Sequence, residues 1–307
     1  MKVKVIWITL LLCLIWGYNF IVMKVALDFF PPVLFSAFRF FIGSGILLLI
    51  CFYKRIPLPK KGDLKWYTIC GVLQTSYVFI MNQLALQYLD AGLTSLLVYT
   101  MPIWYAFLAN FFIGERLTSL KVMALALGII GLFMVMEINP FQLNWSGVSL
   151  IAQLAVLSGA LAWAVSNIIV KKVLHSHNNW QFTAYQMLIG AIVLLLYSFL
   201  FEQGQSVTWN WNSVMVVFYA GAIASSLAFI LWFYLLSSGE GGKTTLSLLL
   251  VPVVSILSGW IFLDEIITFT SIIGMMIILL ANGLVNVRDL KGFRSQKKEQ
   301  VDKASTL

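Results

Sequence analysis

The sequence predicts an all-α polytopic membrane protein whose ten transmembrane helices form an inverted five-plus-five repeat. Three observations carry this expectation. First, 61% of the residues are hydrophobic and 10% charged, with a mean hydropathy of +0.92. Apolar runs of about 20 residues, the length that spans a bilayer core, recur from end to end. Second, the chain is written twice: LIWGYNFIVMKVAL from Leu14 returns as LAWAVSNIIVKKVL from Leu161, so Trp16 falls on Trp163. The same register carries Phe38, Arg39 and Gly43 onto Tyr185, Gln186 and Gly190. A slightly longer one carries Gly92, Thr94, Pro102, Glu115 and Thr118 onto Gly242, Thr244, Pro252, Glu265 and Thr268. Internal symmetry in so apolar a chain marks transporters built from paired repeats, with a binding site where the repeats meet.

The third observation is the placement of charge. With the N-terminus in the cytoplasm, all of the 20 Lys and Arg except Lys24 and Arg39 fall inside or at the inner boundary, while the outer loops carry Asp28, Asp90, Glu137, Glu202, Asp264 and Glu265. The net charge of +8 therefore encodes topology, with both termini cytoplasmic, and calls for no nucleic acid. An odd number of spans per half inverts the second half, and the charges agree. The basic KRIPLPKKGDLK from Lys54 becomes FEQGQSVTWNWN from Phe201, and GERLT at Gly114 becomes DEIIT at Asp264.

In order, the spans run over about 5–27, 33–52, 66–87, 92–113, 120–136, 148–170, 182–201, 214–236, 244–263 and 269–287. The first opens like a signal peptide, but no small-residue cleavage site closes it and its Trp16 belongs to the repeat, so it is retained. It presents Trp16, Asn19, Phe20 and Met23 on one face. The second holds Arg39 at depth. The third carries a stripe of Gln74, Tyr77, Met81 and Asn82, and the fourth one of Ser95, Tyr99, Pro102 and Asn110. The sixth repeats the first with Trp163, Ser166, Asn167 and Val170. The eighth offers Gly221, Ser225, Ala228 and Trp232, and the ninth Ser247, Ser255 and Ser258. Residues 1–140 form the first repeat, 141–290 the second, and 291–307 a basic cytoplasmic tail near anionic headgroups.

These residues resemble the EamA-type members of the drug/metabolite transporter superfamily. The resemblance rests on the Trp-bearing first helix of each half (LIWGYNF, LAWAVSN), the Pro in each fourth helix (YTMPIWYAF, LLVPVVSIL) and the Glu-x-x-Thr boundary after it (ERLT, EIIT). It covers nearly the whole chain. It implies a ten-helix inverted fold in the cell's inner membrane and export of amino acids or other small metabolites, with specificity not inherited from the fold.

The residue chemistry places a substrate site between the first, third, fourth, sixth, eighth and ninth helices, lined by Trp16, Asn19, Tyr77, Asn82, Tyr99, Trp163, Asn167 and Trp232. An amide in hydrocarbon needs a partner or water, and the Trp pair is exchanged by the repeat's pseudo-two-fold operation. Interhelical bonding and close packing are the alternative reading of the same amides and small residues. Pro102 and Pro252 interrupt apolar helices as hinges or static bends. Arg39 either snorkels outward or pairs with Asp28 or Asp90, or else attracts an anion. No cofactor or metal motif is present: His175 and His177 stand in a cytoplasmic loop without further ligands, and Cys13, Cys51 and Cys70 read as core residues. A sugar-phosphate or nucleotide-sugar carrier would want more converging cations, and a membrane enzyme or receptor clustered His, Asp or Glu. The expected partners are a small-molecule substrate and the lipid bilayer, with a homodimer left open.

Overall fold

The computed structural model describes residues 3–114, 119–136, 147–174, 177–237 and 248–284, except the Lys121, Leu236 and Ser237 side chains. Residues 115–118, Glu137, His175, Gly242, Thr244, Ser247 and the tail 291–307 lie outside them. Among the described residues the chain is helical without strands. Seven helices are long and apolar enough to cross a membrane, and three shorter apolar ones accompany them. In chain order they are α1 (Val3–Val25), α2 (Pro32–Tyr53), α3 (Lys61–Leu86), α4 (Ala91–Phe112), α5 (Ser119–Val135), α6 (Val148–Val173), α7 (Asn179–Phe201), α8 (Trp211–Leu235), α9 (Leu250–Leu263) and α10 (Phe269–Leu284).

Several starts differ from expectation, among them α7 at Asn179 rather than 182 and α9 at Leu250 rather than 244, and for two a local cause is visible. α3 begins at Lys61 rather than near residue 66, because Lys61 and Lys65 extend the first turns while their ammonium groups stay outside; Lys65 Nζ lies 4.7 Å from the Trp66 ring centre. α8 begins at Trp211 because Asn210 and Ser213 form a reciprocal capping box, with bonds of 2.8 and 2.9 Å. Outward faces are apolar, as at Phe199 and Leu200. Cys13, Cys51 and Cys70 are buried thiols, and His177, half-buried in its loop, packs edge-on against Phe182 at 5.1 Å.

α3 and α8 each contain a π-helical segment, Gly71–Tyr77 and Tyr219–Leu227, which the sequence analysis did not anticipate. They occupy equivalent places in the two halves, and each packs on the second helix of the other half. Thr75 Oγ1 donates to Gln186 Oε1 at 2.8 Å, where the equivalent contact has Arg39 Nε donating to Ser225 Oγ at 3.1 Å. Ser76 Oγ donates to the Gly190 carbonyl at 3.1 Å and Ser226 Oγ to that of Gly43 at 3.0 Å. α2 on α8 thus has α7 on α3 as its counterpart, and α1 on α9 has α6 on α4.

Small residues permit this approach. A β-carbon on Gly190 would collide with the Thr75 side chain, and one on Gly71 would come within 2.6 Å of the Gln186 carbonyl oxygen. Gly190→Ala is expected to lower stability by about 1–3 kcal/mol, the range for overpacked cores, read as a lower Tm of the purified protein. Gly45→Ala, which meets open space, should leave Tm unchanged.

Candidate functional site

The bundle meets the chemistry of its helix ends with charges from other helices. Glu202, after α7, accepts from the Val33 and Leu34 N–H groups at 2.7 and 3.0 Å, at the start of α2. Glu265, after α9, accepts from Ala91 and Gly92 N–H at 2.5 and 3.0 Å, at the start of α4. Lys24, near the end of α1, donates to the Leu86 and Leu89 carbonyls at 2.6 and 2.7 Å, at the end of α3. Each charge has the sign that its helix end favours. Glu265 rests against Gly259, where any β-carbon would collide with its carboxylate. Burial pushes the Glu265 carboxyl above the usual carboxylate range, and the Gly92 and Ala91 N–H groups pull it back. Glu265 lies between cavities of about 300 and 240 Å³, the smaller one lined also by Lys24, Asp28 and Asp90. Sequence reasoning treated Lys24 and these acids as boundary charges; only the fold shows which helix ends they meet.

The fourth helix is interrupted by a tight turn midway. It consists of Ala91–Val98 and Met101–Phe112, joined by a turn at Tyr99 and Thr100. Pro102 therefore stands in the first turn of the second piece, where a missing N–H costs little, rather than in a helix interior, where it costs about 3 kcal/mol. The exposed carbonyls find other donors: Asn282 Nδ2 of α10 reaches the Tyr99 carbonyl at 2.8 Å, and Thr100 Oγ1 that of Leu97 at 2.7 Å. Pro252 likewise sits in the first turn of α9, after a turn at Leu248 and Leu249.

The predicted lining divides into two groups. Trp16 donates through Nε1 to the Ala224 carbonyl in the π segment of α8, at 3.2 Å. Its ring stands 6.3 Å from Trp232 and 5.8 Å from Phe229. Trp163 and Tyr99 instead pack on the core around Phe20, Leu97 and Val156. The structure brings Trp16 and Trp232 together but does not bring Trp16 and Trp163 into ring contact. The stripes of α3 and α6 do meet: Tyr77 and Ser158 hydroxyls are 3.0 Å apart, Ser166 Oγ donates to Gln74 Oε1 at 3.0 Å, and Asn82 faces Gly159. The amides of Asn19 and Asn167 find only thioethers, Met23 Sδ at 3.2 Å and Met101 Sδ at 3.4 Å, which are weak acceptors. None of the eight lining residues borders either of the two cavities beside Glu265.

Arg39 neither snorkels nor pairs with Asp28 or Asp90. It is 3% exposed and turns into the bundle, its guanidinium 4.9 Å from the Phe40 ring and 4.8 Å from that of Phe79. Two desolvated cation–π contacts at about 2 kcal/mol each and one charge-assisted hydrogen bond at about 1.5–3 kcal/mol offset the roughly 2.5–3.5 kcal/mol that an Arg costs at membrane depth on insertion scales. This balance is why the side chain can stay inside.

Glu265→Ala removes a carboxylate that serves two buried N–H groups. It is expected to cost about 1.5–3 kcal/mol, measured as a lowered unfolding midpoint of the purified protein. Glu265→Gln, which keeps one acceptor, should fall between Ala and the unsubstituted chain.

Comparison with known proteins places this geometry. The chain matches the EamA-like transporter family over residues 3–137 and 150–287, one match for each half. It is 34% identical over 267 residues to the "Uncharacterized transporter YoaV" of Bacillus subtilis, covering 86% of this chain and 90% of that one. It is 28% identical over 302 residues to a "Probable amino-acid metabolite efflux pump" of Salmonella typhimurium, covering 96% and 97%. An equally named protein of Escherichia coli is 27% identical over 300 residues, covering 94% and 97%. A solved crystal structure shares the fold, with a TM-score of 0.65 at 18% identity over 94% of this chain and 97% of that one. By its apolar helices, its two matched halves and its relatives, the chain is a multi-pass membrane protein that belongs to the EamA-like transporter family.

Proposed function

We propose that this protein is a secondary transporter that exports amino acids or similar small metabolites by alternating access, one five-helix half rocking against the other around a central site. In this reading ten helices cross the cell's inner membrane as an inverted five-plus-five repeat, with both termini in the cytoplasm. The paired contacts of α2 with α8 and of α7 with α3 support two halves that interlock by one rule. The names of the Salmonella and Escherichia relatives support amino-acid metabolites as the cargo.

The observation that carries the proposal is a set of buried polar atoms without a partner. Asn19 Oδ1 on α1, Asn82 Oδ1 on α3 and Ser95 Oγ on α4 accept or donate nothing, and neither does Gln153 Oε1 on α6, which borders the cavity of about 300 Å³ beside Glu265. Each such atom costs about 1–3 kcal/mol when left unsatisfied. Helices one, three, four and six are among those on which the sequence places the site. A polar substrate and its accompanying water give these atoms partners in the loaded state. Trp16, Trp232, Trp163 and Tyr99 then supply apolar faces for the body of the substrate, while Asn19, Asn82, Asn167 and Tyr77 orient it. The thioether bonds of Asn19 and Asn167 are weak enough to be exchanged for a substrate oxygen. Pro102 and Pro252 act as hinges, each in the first turn of a helix that follows a turn, at Tyr99 and Thr100 or at Leu248 and Leu249.

Flux tests this reading. Protein reconstituted in sealed vesicles is expected to move labelled amino acids across the bilayer chemically unchanged. Trp16→Ala and Trp163→Ala should each abolish transport or reshape the preference among amino acids while the protein remains inserted and folded. Normal transport by both variants refutes the central site.

Topology is tested separately. In intact cells an impermeant thiol reagent is expected to reach a Cys placed at Gln205 and not one placed at Lys61, in a background lacking Cys13, Cys51 and Cys70. The opposite pattern refutes the orientation and the inverted repeat.

A further inference from the structure

The two equivalent contacts between the halves differ at one point that packing does not explain. On one side the Thr75 hydroxyl meets the Gln186 amide; on the other the Arg39 guanidinium meets the Ser225 hydroxyl. Arg39 and Gln186 are repeat mates, as are Thr75 and Ser225. The flanking serine-to-glycine bonds are the same on both sides. A neutral amide therefore suffices to tie these helices together. Arg39 brings to the same place a full charge that the equivalent contact does without.

That charge also has no counter-ion among the described residues. Arg39 is the only buried Lys or Arg among the described residues, and no carboxylate of a described residue pairs with it. Its Nη1 is buried without a partner. Phe40 and Phe79, in edge-to-face contact with each other at 4.5 Å, both lie against the guanidinium, and the Nη1 N–H groups are what remain to be satisfied. Ser36 Oγ, one turn before Arg39 on α2, and Gln83 Oε1, one turn after Phe79 on α3, are likewise buried without partners. A buried cation without a counter-ion is far more costly than an unpaired neutral group. A planar fork of N–H donors matches a carboxylate better than any neutral ligand.

We propose that Arg39 is an anion site that holds the carboxylate of the transported molecule, where α2, α3 and α8 meet. The proposal rests on the transporter reading above and deepens it by one chemical class: the cargo carries a carboxylate. A monoanion fits and a phosphate ester does not, because one guanidinium is the only cation there and a second negative charge would enter the bundle unbalanced. Ser36 and Gln83 are placed to receive donors of the same molecule or of water carried with it.

The test is thermal unfolding of the purified full-length protein with three probes that share one branched body. L-leucine has carboxylate and amine, isocaproate the carboxylate alone, and isoamylamine the amine alone. L-leucine and isocaproate are expected to raise Tm and isoamylamine to leave it unchanged. Arg39→Gln reproduces the Gln186 arrangement, so it should fold, yet lose the carboxylate shift, with apparent affinity for isocaproate at least about tenfold weaker. Arg39→Lys, a charge without the fork, should retain part of the shift. A carboxylate shift that survives Arg39→Gln, an equal shift with isoamylamine, or no shift with isocaproate in the unsubstituted protein overturns the site. Should Arg39→Gln fail to fold, Arg39→Lys decides: unchanged affinity for isocaproate overturns it as well. None of these outcomes bears on vesicle flux, by which the transporter reading stands or falls.

Discussion

At membrane depth a backbone N–H or C=O has no water to fall back on, and an unsatisfied one costs several kcal/mol. Much of this bundle follows from that constraint. Regular helices satisfy their interiors, so the difficulty gathers at helix ends and interruptions, and side chains from other helices are brought to those places. Glu202 serves the start of α2, Glu265 the start of α4, and Lys24 the end of α3. Asn282 reaches the carbonyl that the break in α4 exposes. All but that of Lys24 are also ties between halves: Glu202, Glu265 and Asn282 come from the second repeat and serve helices of the first.

A bundle tied at its ends and closely packed through glycines can still hold a soft interior. The regions around Gly43, Gly71, Gly190 and Gly221 are so close that a single added carbon would displace neighbours. By contrast, Asn19 and Asn167 hold on to methionine sulfurs, and several buried oxygens hold on to nothing. The π segments of α3 and α8 lie where these two regimes meet. A π turn displaces the backbone register, so a carbonyl such as that of Ala224 becomes the partner of the Trp16 indole. Strong bonds thus lie at the helix ends and weak ones inside.

The two repeats are equal in packing and unequal in charge. Thr75 with Gln186 and Ser225 with Arg39 share geometry, yet only one carries an ion. Lys24 caps a helix of its own half, whereas its mate Lys171 stands over the Tyr105 ring at 5.8 Å. Duplication supplied the scaffold, and divergence at matched positions made its two ends chemically distinct. A transport path needs such asymmetry, since a substrate must meet different groups on entering and on leaving.

The sequence by itself determined the membrane environment, the duplication and the order of the spans, because hydropathy, repeat register and charge placement are one-dimensional properties. It also singled out Asn19, Asn82 and Arg39 as groups that cannot be left idle in hydrocarbon. Arg39 shows where that reading stopped. Cost alone suggested escape toward water or pairing with Asp28 or Asp90, but the rings of Phe40 and Phe79 and the Ser225 hydroxyl hold it inside. The break at Tyr99 and Thr100, the π turns, and the helix ends met by Glu202, Glu265 and Lys24 were decided only by the tertiary structure. Each depends on which helices lie side by side and at what height, and a residue far away in sequence, such as Glu265 for Ala91, becomes the partner only once the bundle has formed.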